Sequence, residues 1–196
     1  PPGACSILAE DLRTHYQGLF RRYGNDHRAV QHADRVSQLK RFELLAGILP
    51  PEPFSVIDVG CGLGHFHDFL ADRKLEFDYL GVDIVHEFIE EAERAHAGAP
   101  NARFRVLDVR AEELPRGYDY GVVCGVFNNP MDDNDRFMRD VLVKLFAATA
   151  KGIAFNAIST YVDYQYDELY YANPLEVFDF CKRRLSRKVA LRHDYV

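Results

Sequence analysis

Three glycines at alternate positions form the most distinctive pattern of the chain. They are Gly60, Gly62 and Gly64 in the stretch "SVIDVGCGLGHF" (55–66), which follows an apolar run that includes Asp58. Glycine lets a backbone adopt conformations that bring it close to a ligand. A phosphate-binding P-loop would need Lys followed by Ser or Thr, and this stretch has neither. A dinucleotide-binding turn would need glycine where His65 stands, which disfavours a nicotinamide-linked oxidoreductase.

Acidic residues end the next two apolar runs. Asp83 lies about 20 residues beyond the glycines, where a doubly wound fold places the ribose of a bound nucleotide. An ionised carboxylate only accepts hydrogen bonds, so it can take the protons of both ribose hydroxyls. Asp108 ends the following run in the same way. Taken singly, each carboxylate could instead be a cap or a turn residue at a strand end.

Short apolar runs alternate with amphipathic segments from residue 52 onward, which indicates strands alternating with helices. Near-continuous apolar strands between helices predict an α/β fold, a three-layer α-β-α sandwich with a mostly parallel, Rossmann-like sheet. The carboxyl ends of such strands line the ligand crevice, so the glycine turn is expected there. The predicted strands are "SVIDVG" (55–60), "DYLGVDI" (78–84), "ARFRVLDV" (102–109), "DYGVVCGVF" (119–127), "GIAFNAIS" (152–159) and "KVALRHDY" (188–195).

The glycine stretch and the strand ends together resemble the class I S-adenosylmethionine-dependent methyltransferases. "VIDVGCGLG" (56–64) resembles motif I, and "GVDI" (81–84), "VLDV" (106–109) and "DYGVVCGVFNN" (119–129) resemble the motifs of the next three strands. The resemblance implies an enzyme that uses S-adenosylmethionine as its cofactor and releases S-adenosylhomocysteine.

The same resemblance implies particular contacts with the cofactor. Asp83 would take the ribose hydroxyls, Ile84 would pack on the adenine face, and Asp108 with the Val109 N–H would meet the edge of the adenine ring. The end of the fourth strand would run beside the methionine portion. The cofactor-binding residues expected on this basis are Arg41, Asp58, Gly60, Gly62, Gly64, Asp83, Ile84, Asp108, Val109 and Gly125.

The first 50 residues are predicted to form a helical lid. Apolar residues at helical spacing run from Ser6, a suitable N-cap, to Tyr23. "SQLKRFELL" (37–45) resembles the helix that precedes motif I in some small-molecule methyltransferases. Arg41 could pair there with the carboxylate of the cofactor, with Gln38 assisting. The alternative for Arg41 is an exposed arginine on an amphipathic helix.

The substrate side has no fixed motif in this family, and the segment after the fourth strand is one candidate. "FNNPMDDND" (127–135) partly resembles a motif of amino-methyltransferases but lacks its second proline and its aromatic residue. Phe127 and Asn128 are expected to contact the substrate. Asp132 or Asp133 is expected to cap the next helix.

Two later segments are also candidates for the substrate side. "STYVDYQYDELYYANP" (159–174) carries aromatic residues with polar tips, which suit a pocket. Tyr161 is expected to contact the substrate, and Asp163 is expected to be the catalytic base or a substrate ligand. This segment could instead be a structural cap on the sheet edge. In "LRHDY" (191–195), His193 has a pKa range suited to proton transfer, or it is an exposed sheet residue.

Composition limits the class of protein. A chain of 196 residues predicts a single domain over 1–196, with the lid at 1–50, the cofactor core at 52–160 and the substrate-side part at 161–196. A net charge of -6 makes a nucleic-acid partner unexpected. Four widely spaced cysteines fit a reducing cytoplasm, and no apolar run approaches the length of a membrane span. The histidines show no metal-binding spacing, so no metal is expected.

These observations predict methyl transfer from S-adenosylmethionine to a hydroxyl or amine of a small molecule. The alternatives are a cofactor-binding regulatory or partner module, or a protein or nucleic-acid methyltransferase. In this family the sixth strand normally pairs with a seventh, whereas the sequence reaches only Val196, so the C-terminal strand pair is expected to be incomplete. Either the chain continues, or the sheet edge is completed otherwise, and an unpaired edge could form a homodimer contact.

Overall fold

The computed structural model describes residues 9–194, with side chains from residue 12 onward. The predicted N-cap Ser6 lies outside the described residues. The helices are α1 (Ala9–Tyr23), α2 (Arg35–Ala46), α3 (His65–Asp72), α4 (His86–Ala95), α5 (Asn134–Ala148) and α6 (Pro174–Phe180), with a 3-10 turn at His27–Val30 and a π-helical turn at Cys181–Leu185. The strands are β1 (Phe54–Val59), β2 (Phe77–Asp83), β3 (Ala102–Val106), β4 (Tyr118–Val123) and β5 (Thr149–Phe155).

The five strands form one parallel sheet in the order β3-β2-β1-β4-β5. The chain builds outward from β1 through β2 to β3, then crosses back and builds outward on the other side with β4 and β5. Strand order therefore reverses between β1 and β4, the place where such sheets bind ligands. The predicted fold class, an α/β sandwich with a parallel Rossmann-like sheet, is confirmed.

Alternating residues of the central strand face two different hydrophobic cores. Ile57 and Val59 belong to the core packed against α5, whereas Val56 belongs to the core that includes Phe42 of α2 and Phe66 of α3. The alternation follows from the period of two along a strand. Helices on both faces leave the strand ends as the place where polar groups can gather.

Local sequence signals set several helix starts. Asp133 accepts a hydrogen bond from the Arg136 N–H and caps α5, as predicted. Asn173 caps α6 through the Leu175 and Glu176 N–H groups, with Pro174 at the first helical position. Such caps satisfy backbone donors that have no partner inside the helix.

The predicted sixth strand is wrong within the described residues, because 187–194 have no regular secondary structure. The π-helical turn at Cys181–Leu185 precedes this segment, and polar groups in it pair locally instead of along a strand ladder. Lys182 donates to the Arg187 carbonyl, and Arg192 donates to both carboxylate oxygens of Asp194. Beyond β5, the described chain therefore adds a bridge between Ser159 and Ala172 instead of a further strand.

Among residues 9–194, none of the helices combines the length and the apolar character that crossing a bilayer requires.

Candidate functional site

A covered pocket lies at the carboxyl ends of the central strands, where strand order reverses. Its floor comes from the turn after β1, and its sides come from the ends of β2 and β4 and the segment after β3. Leu12 and Tyr16 of α1 lie over it, and Gln38 and Phe42 of α2 contribute to one side. Residues of both N-terminal helices therefore line the crevice.

The glycine turn is closely packed on both sides. Gly60 has a φ of 74°, and a Cβ there would lie 2.1 Å from Cγ2 of Val126. Gly62 has a φ of 54°, and a Cβ there would lie 2.7 Å from Cγ1 of Val30. Both positions need the left-handed backbone and the missing side chain of glycine. The turn thereby exposes its backbone to the pocket.

Asp58 places a buried carboxyl group in the pocket wall beside this turn. The Tyr79 hydroxyl donates to its Oδ2 at 2.6 Å, and its Oδ1 has no hydrogen-bond partner among the described residues. Burial raises the pKa of Asp58 to about 7, even though the hydrogen bond from Tyr79 lowers it. A buried acceptor without a partner is costly, so this oxygen is suited to a donor or a cationic group of a ligand.

Asp83 lines the pocket at the end of β2 and holds two backbone donors. The Gly62 N–H donates to Oδ2 at 2.9 Å, and the Val85 N–H donates to Oδ1 at 2.9 Å. Burial raises the pKa of Asp83, while these backbone hydrogen bonds act in the opposite direction. Each oxygen keeps further lone pairs, so the carboxylate can still accept from two ligand hydroxyls.

Asp108 also lines the pocket, but its carboxylate is held by Arg110. The Arg110 side chain donates from Nε to Oδ1 at 3.0 Å and from Nη2 to Oδ2 at 2.8 Å. Burial raises the pKa of Asp108, but the bonds from Arg110 outweigh this and hold the pKa below its usual range. Ile84, Val109 and Gly125 also lie in the pocket wall.

The lid places a buried hydroxyl in the pocket. The Tyr16 hydroxyl donates to Oε1 of Gln31 at 2.8 Å and accepts from Nδ2 of Asn129 at 2.8 Å. Burial raises the pKa of Tyr16 to about 12, so it stays protonated at neutral pH. The bond to Gln31 lies within the lid. Because Asn129 follows β4, its bond to Tyr16 joins α1 to the opposite side of the crevice.

Arg41 does not line the pocket, whereas the nearby His32 does. Arg41 donates from Nη1 to Nδ1 of His32 at 2.8 Å. Burial, and then the charge of Arg41, lowers the pKa of His32 to about 4. An arginine can only donate, so the proton of the neutral His32 ring lies on Nε2. Arg41 is thus a half-buried partner of His32 instead of the exposed arginine of the alternative prediction.

His65 joins the lid to the start of α3. Its Nε2 bonds to Oδ1 of Asn25 at 2.7 Å, and its Nδ1 bonds to Nε2 of Gln38 at 3.1 Å. Gln38 in turn accepts from Arg35 at 3.1 Å. The histidine that breaks the dinucleotide pattern therefore serves as a hydrogen-bonded anchor for the lid.

Gly64 has a packing role in the structure and is not part of the pocket wall. A Cβ at this position would lie 2.8 Å from Cε1 of His96 and 3.0 Å from the ring of Phe104. The glycine allows the start of α3 to approach the end of α4 and strand β3.

The structure does not bring the predicted substrate-side residues to this pocket. Phe127 is 1% exposed, packs between Phe137 and Phe155 in the core and does not line the pocket. The side chain of Asn128 is not part of the pocket wall. The pattern of apolar residues after β4 could not show that Phe127 turns inward.

The two predicted catalytic residues lie in exposed segments. Asp163 and Tyr161 belong to a loop that bonds to itself, with the Tyr166 N–H donating to the Tyr171 hydroxyl. His193 is exposed, with its Nε2 2.8 Å from the Ser159 hydroxyl. Its ring meets that of Tyr161 edge to face, so the fold joins these two predicted residues, but outside the pocket wall.

The polar residues that face the pocket from the lid and from the segment after β4 were not predicted as substrate contacts. Tyr16 belongs to the apolar stripe of α1, and only its buried hydroxyl distinguishes it. His32 lies in the break between two helical patterns, and Asn129 lies in the "FNNP" stretch directly after Phe127 and Asn128. Composition of that stretch was the one signal that could have indicated Asn129.

The parallel sheet places a glycine-rich turn after β1 and the Asp83 carboxylate after β2 at one covered crevice. This arrangement is typical of α/β proteins that bind a nucleotide cofactor. A methyltransferase domain family model matches residues 56–147. The chain is 39% identical over 150 residues to the Mycobacterium tuberculosis protein named "Putative methyltransferase Rv1506c", covering 74% of this chain and 88% of that one. The chain belongs to the class I S-adenosylmethionine-dependent methyltransferases, and its cofactor is S-adenosylmethionine.

Solved structures share the fold at low sequence identity. Magnesium protoporphyrin IX methyltransferase from Synechocystis PCC 6803 has a TM-score of 0.64 at 14% identity, covering 86% of this chain and 85% of that chain. The N-methyltransferase NodS from Bradyrhizobium japonicum WM9 has a TM-score of 0.59 at 19% identity, with 74% of each chain covered. The [4+2]-cyclase SpnF has a TM-score of 0.63 at 15% identity, covering 92% of this chain and 73% of that chain. Because one of these proteins is a cyclase, the likeness to them shows the fold alone.

Proposed function

We propose that this methyltransferase acts on a hydroxyl or amine of a small molecule that binds beneath α1. The observation that carries the proposal is the hydrogen bond from Asn129 to the Tyr16 hydroxyl, which joins the lid to the segment after β4 across the crevice. An acceptor beneath a closed helix must be small, whereas a protein or nucleic-acid chain needs an open groove. The net charge of -6 further disfavours nucleic acid.

Two features of the pocket support a fit to S-adenosylmethionine. Its glycine turn leaves room for a ligand against the backbone, and the unpartnered Oδ1 of Asp58 suits a positively charged group of the cofactor. We assign the ribose hydroxyls to Asp83 and the adenine surroundings to Ile84 and Val109. Arg110 already donates to both carboxylate oxygens of Asp108. If Asp108 binds the adenine amino group, that group must share one of these oxygens with Arg110.

The cofactor supplies an electrophilic methyl group, and the residues of the chain position the acceptor and exclude water. Tyr16, His32 and Asn129 are the polar side chains that we assign to the acceptor. The Nε2–H of the neutral His32 ring can donate a hydrogen bond to one lone pair of a hydroxyl oxygen, which keeps its second lone pair for the methyl group. Arg41 acts through His32, because it fixes the tautomer and the orientation of that ring.

The same packing supports one methyltransferase domain over residues 1–196, since Phe42 of α2 lies in the core formed with β1 and α3. Homodimer formation remains a prediction that light scattering would test.

A panel of methyl acceptors tests the proposed function. The full chain would be incubated with S-adenosylmethionine carrying a labelled methyl group and, in parallel, small hydroxyl compounds, small amines, mixed proteins and nucleic acids. We expect label in a small-molecule fraction. Label only in protein or nucleic acid would contradict the proposed substrate class. Cofactor binding in calorimetry without transfer to any class would favour a binding module.

A further inference from the structure

A second polar cluster lies outside the cofactor pocket, between helices α3 and α4. It consists of His67 and Asp68 in α3 and His96, which caps the end of α4. One ligating atom from each of the three lies within 4.8 Å of the others. The sequence shows no metal-binding spacing because His96 lies far along the chain from the other two, and only the fold brings them together.

His67 is the unusual member of this cluster. It is 4% exposed, and neither of its ring nitrogens has a hydrogen-bond partner among the described residues. Its Nδ1 lies 3.9 Å from Oδ1 of Asp68, which is too far for a hydrogen bond. Buried polar atoms of this kind normally have a partner, so we expect a ring nitrogen of His67 to bind a group or an ion at this place.

His96 is oriented as metal-binding histidines usually are. Its Nδ1 lies 2.7 Å from the Ala92 carbonyl oxygen, which can only accept, so the Nδ1 carries a proton. This leaves Nε2 facing the cluster, 2.9 Å from Oδ1 of Asp68. Metal-bound imidazoles typically donate their other ring N–H to a carbonyl in this way, which fixes the tautomer. Because Nε2 of His96 and Oδ1 of Asp68 are both acceptors, a proton or a metal ion must lie between them at this distance.

The surroundings give the cluster one buried side and one open side. The ring of His67 packs at 5.3 Å from the rings of both Phe77 and Tyr79, which shield it. The side chain of Asp68 is 47% exposed and offers an entry path for an ion. Two imidazoles and one carboxylate form a donor set that suits Zn²⁺, with solvent in the fourth position.

We propose that His67, Asp68 and His96 bind one zinc-class divalent ion that joins α3 to the end of α4. In a tetrahedral site with bonds of about 2.0–2.1 Å, the ligand atoms lie roughly 3.3 Å apart. The contact between His96 and Asp68 is already near this spacing, and a rotation of the exposed Asp68 side chain can shorten its distance to His67.

The ion would have a structural role. None of the three ligands lines the cofactor pocket, but the His96 ring packs directly against Gly64 at the end of the glycine turn. An ion at this cluster would therefore stabilise the start of α3, where the turn that faces the cofactor ends. Metal bound only by the folded state adds to folding stability.

Metal binding by the untagged full chain tests this proposal. The protein would be stripped with a chelator and titrated with Zn²⁺ in equilibrium dialysis with elemental analysis, and with Co²⁺ for its visible absorption. We expect one ion per chain, the strong absorption of tetrahedral Co²⁺ and a higher unfolding temperature with Zn²⁺. A stripped chain that binds no ion saturably would overturn the proposal.

Matched variants locate the ion. His67→Phe keeps an aromatic ring among Phe77 and Tyr79, and Asp68→Asn changes a half-exposed side chain, so the second variant serves if the first does not fold. Each should weaken Zn²⁺ binding by at least about tenfold. His86→Gln, at an exposed histidine paired with Glu90, is the control and should bind Zn²⁺ as the parent does. Equal Zn²⁺ binding by parent and Asp68→Asn would place the ion elsewhere and refute the assignment.

Discussion

Asp83 holds the glycine turn through one carboxylate oxygen and the following loop through the other. We expect Asp83→Ala to weaken S-adenosylhomocysteine binding by about 1.5–3 kcal/mol, because hydrogen bonds to a charged group are lost. Calorimetry measures the affinity. Asp78→Ala, at an exposed position of the same strand, is the control and should leave the affinity unchanged. Unchanged affinity in Asp83→Ala would mean that the ribose assignment is wrong.

Asp58 makes stability depend on pH in a defined direction. Its pKa is raised from 3.8 in the unfolded chain to about 7 in the folded protein, so folding takes up a proton between these values. Ionisation of the buried Asp58 destabilises the folded protein. This loss of stability is absent below about pH 4, grows as the pH rises, and is complete above about pH 7. Asp58→Asn removes this effect, while its side-chain oxygen can still accept from Tyr79.

Denaturant unfolding of parent and Asp58→Asn at pH 5 and pH 8 measures this effect. The free energy of unfolding of the variant relative to the parent should rise by about 2–3 kcal/mol between the two pH values. Other titrating groups are common to both proteins and cancel in the difference. A difference that does not change with pH would show that Asp58 titrates normally.

The glycine turn needs the left-handed backbone conformation at both Gly60 and Gly62. Gly62→Ala places a side chain at a φ of 54° and 2.7 Å from Val30. The left-handed conformation alone costs about 1–2 kcal/mol, and displacing Val30 adds to this. Urea unfolding should show the loss. Gly98→Ala, where no atom lies within 4 Å of the added Cβ, should change stability by less than about 0.5 kcal/mol.

Helix α1 is held over the pocket by the Tyr16 hydroxyl. Tyr16→Phe keeps the edge-to-face contact with Phe88 but removes both hydrogen bonds of the hydroxyl. We expect the free energy of local opening of the α1 amides to fall by about 1–3 kcal/mol, while the β1 amides keep their protection from exchange. Hydrogen exchange measures both elements. Tyr23→Phe in the same helix should leave exchange unchanged, and equal exchange in the two variants would show that the Tyr16 hydroxyl does not hold the lid.

At the level of the whole molecule, the cofactor pocket joins the lid, the sheet and the segments after three strands. A ligand that binds only this folded arrangement stabilises all of it. S-adenosylhomocysteine at 100 times its dissociation constant should raise the free energy of unfolding by about 2.7 kcal/mol. NAD at the same concentration should have no effect. Stabilisation by NAD alone would contradict the assignment of the pocket.

Much of the cofactor side follows from local patterns in the sequence. Apolar runs predict the strands because burial on both faces selects β-branched and apolar residues, and β1 lies one residue from its predicted bounds. The glycines at positions 60 and 62 could be recognised because each needs a local backbone conformation that other residues avoid. Asn173 and Asp133 could be recognised as caps for the same local reason.

Which residues line the substrate side of the pocket depends on contacts between segments that are distant in the sequence. A local sequence pattern does not predict such contacts. Phe127 turned into the core, Asp163 and His193 stayed exposed, and the segment predicted as a sixth strand forms no strand within residues 9–194. Tyr16 and Asn129 meet across 113 positions, and His67 meets His96 only because α3 and α4 lie side by side. Periodicity thus predicted the fold, because strands and helices follow from burial patterns along the chain. The motifs at the strand ends predicted the cofactor through their resemblance to a known family. Packing between helices and loops decided which side chains face the pocket and which histidines come together.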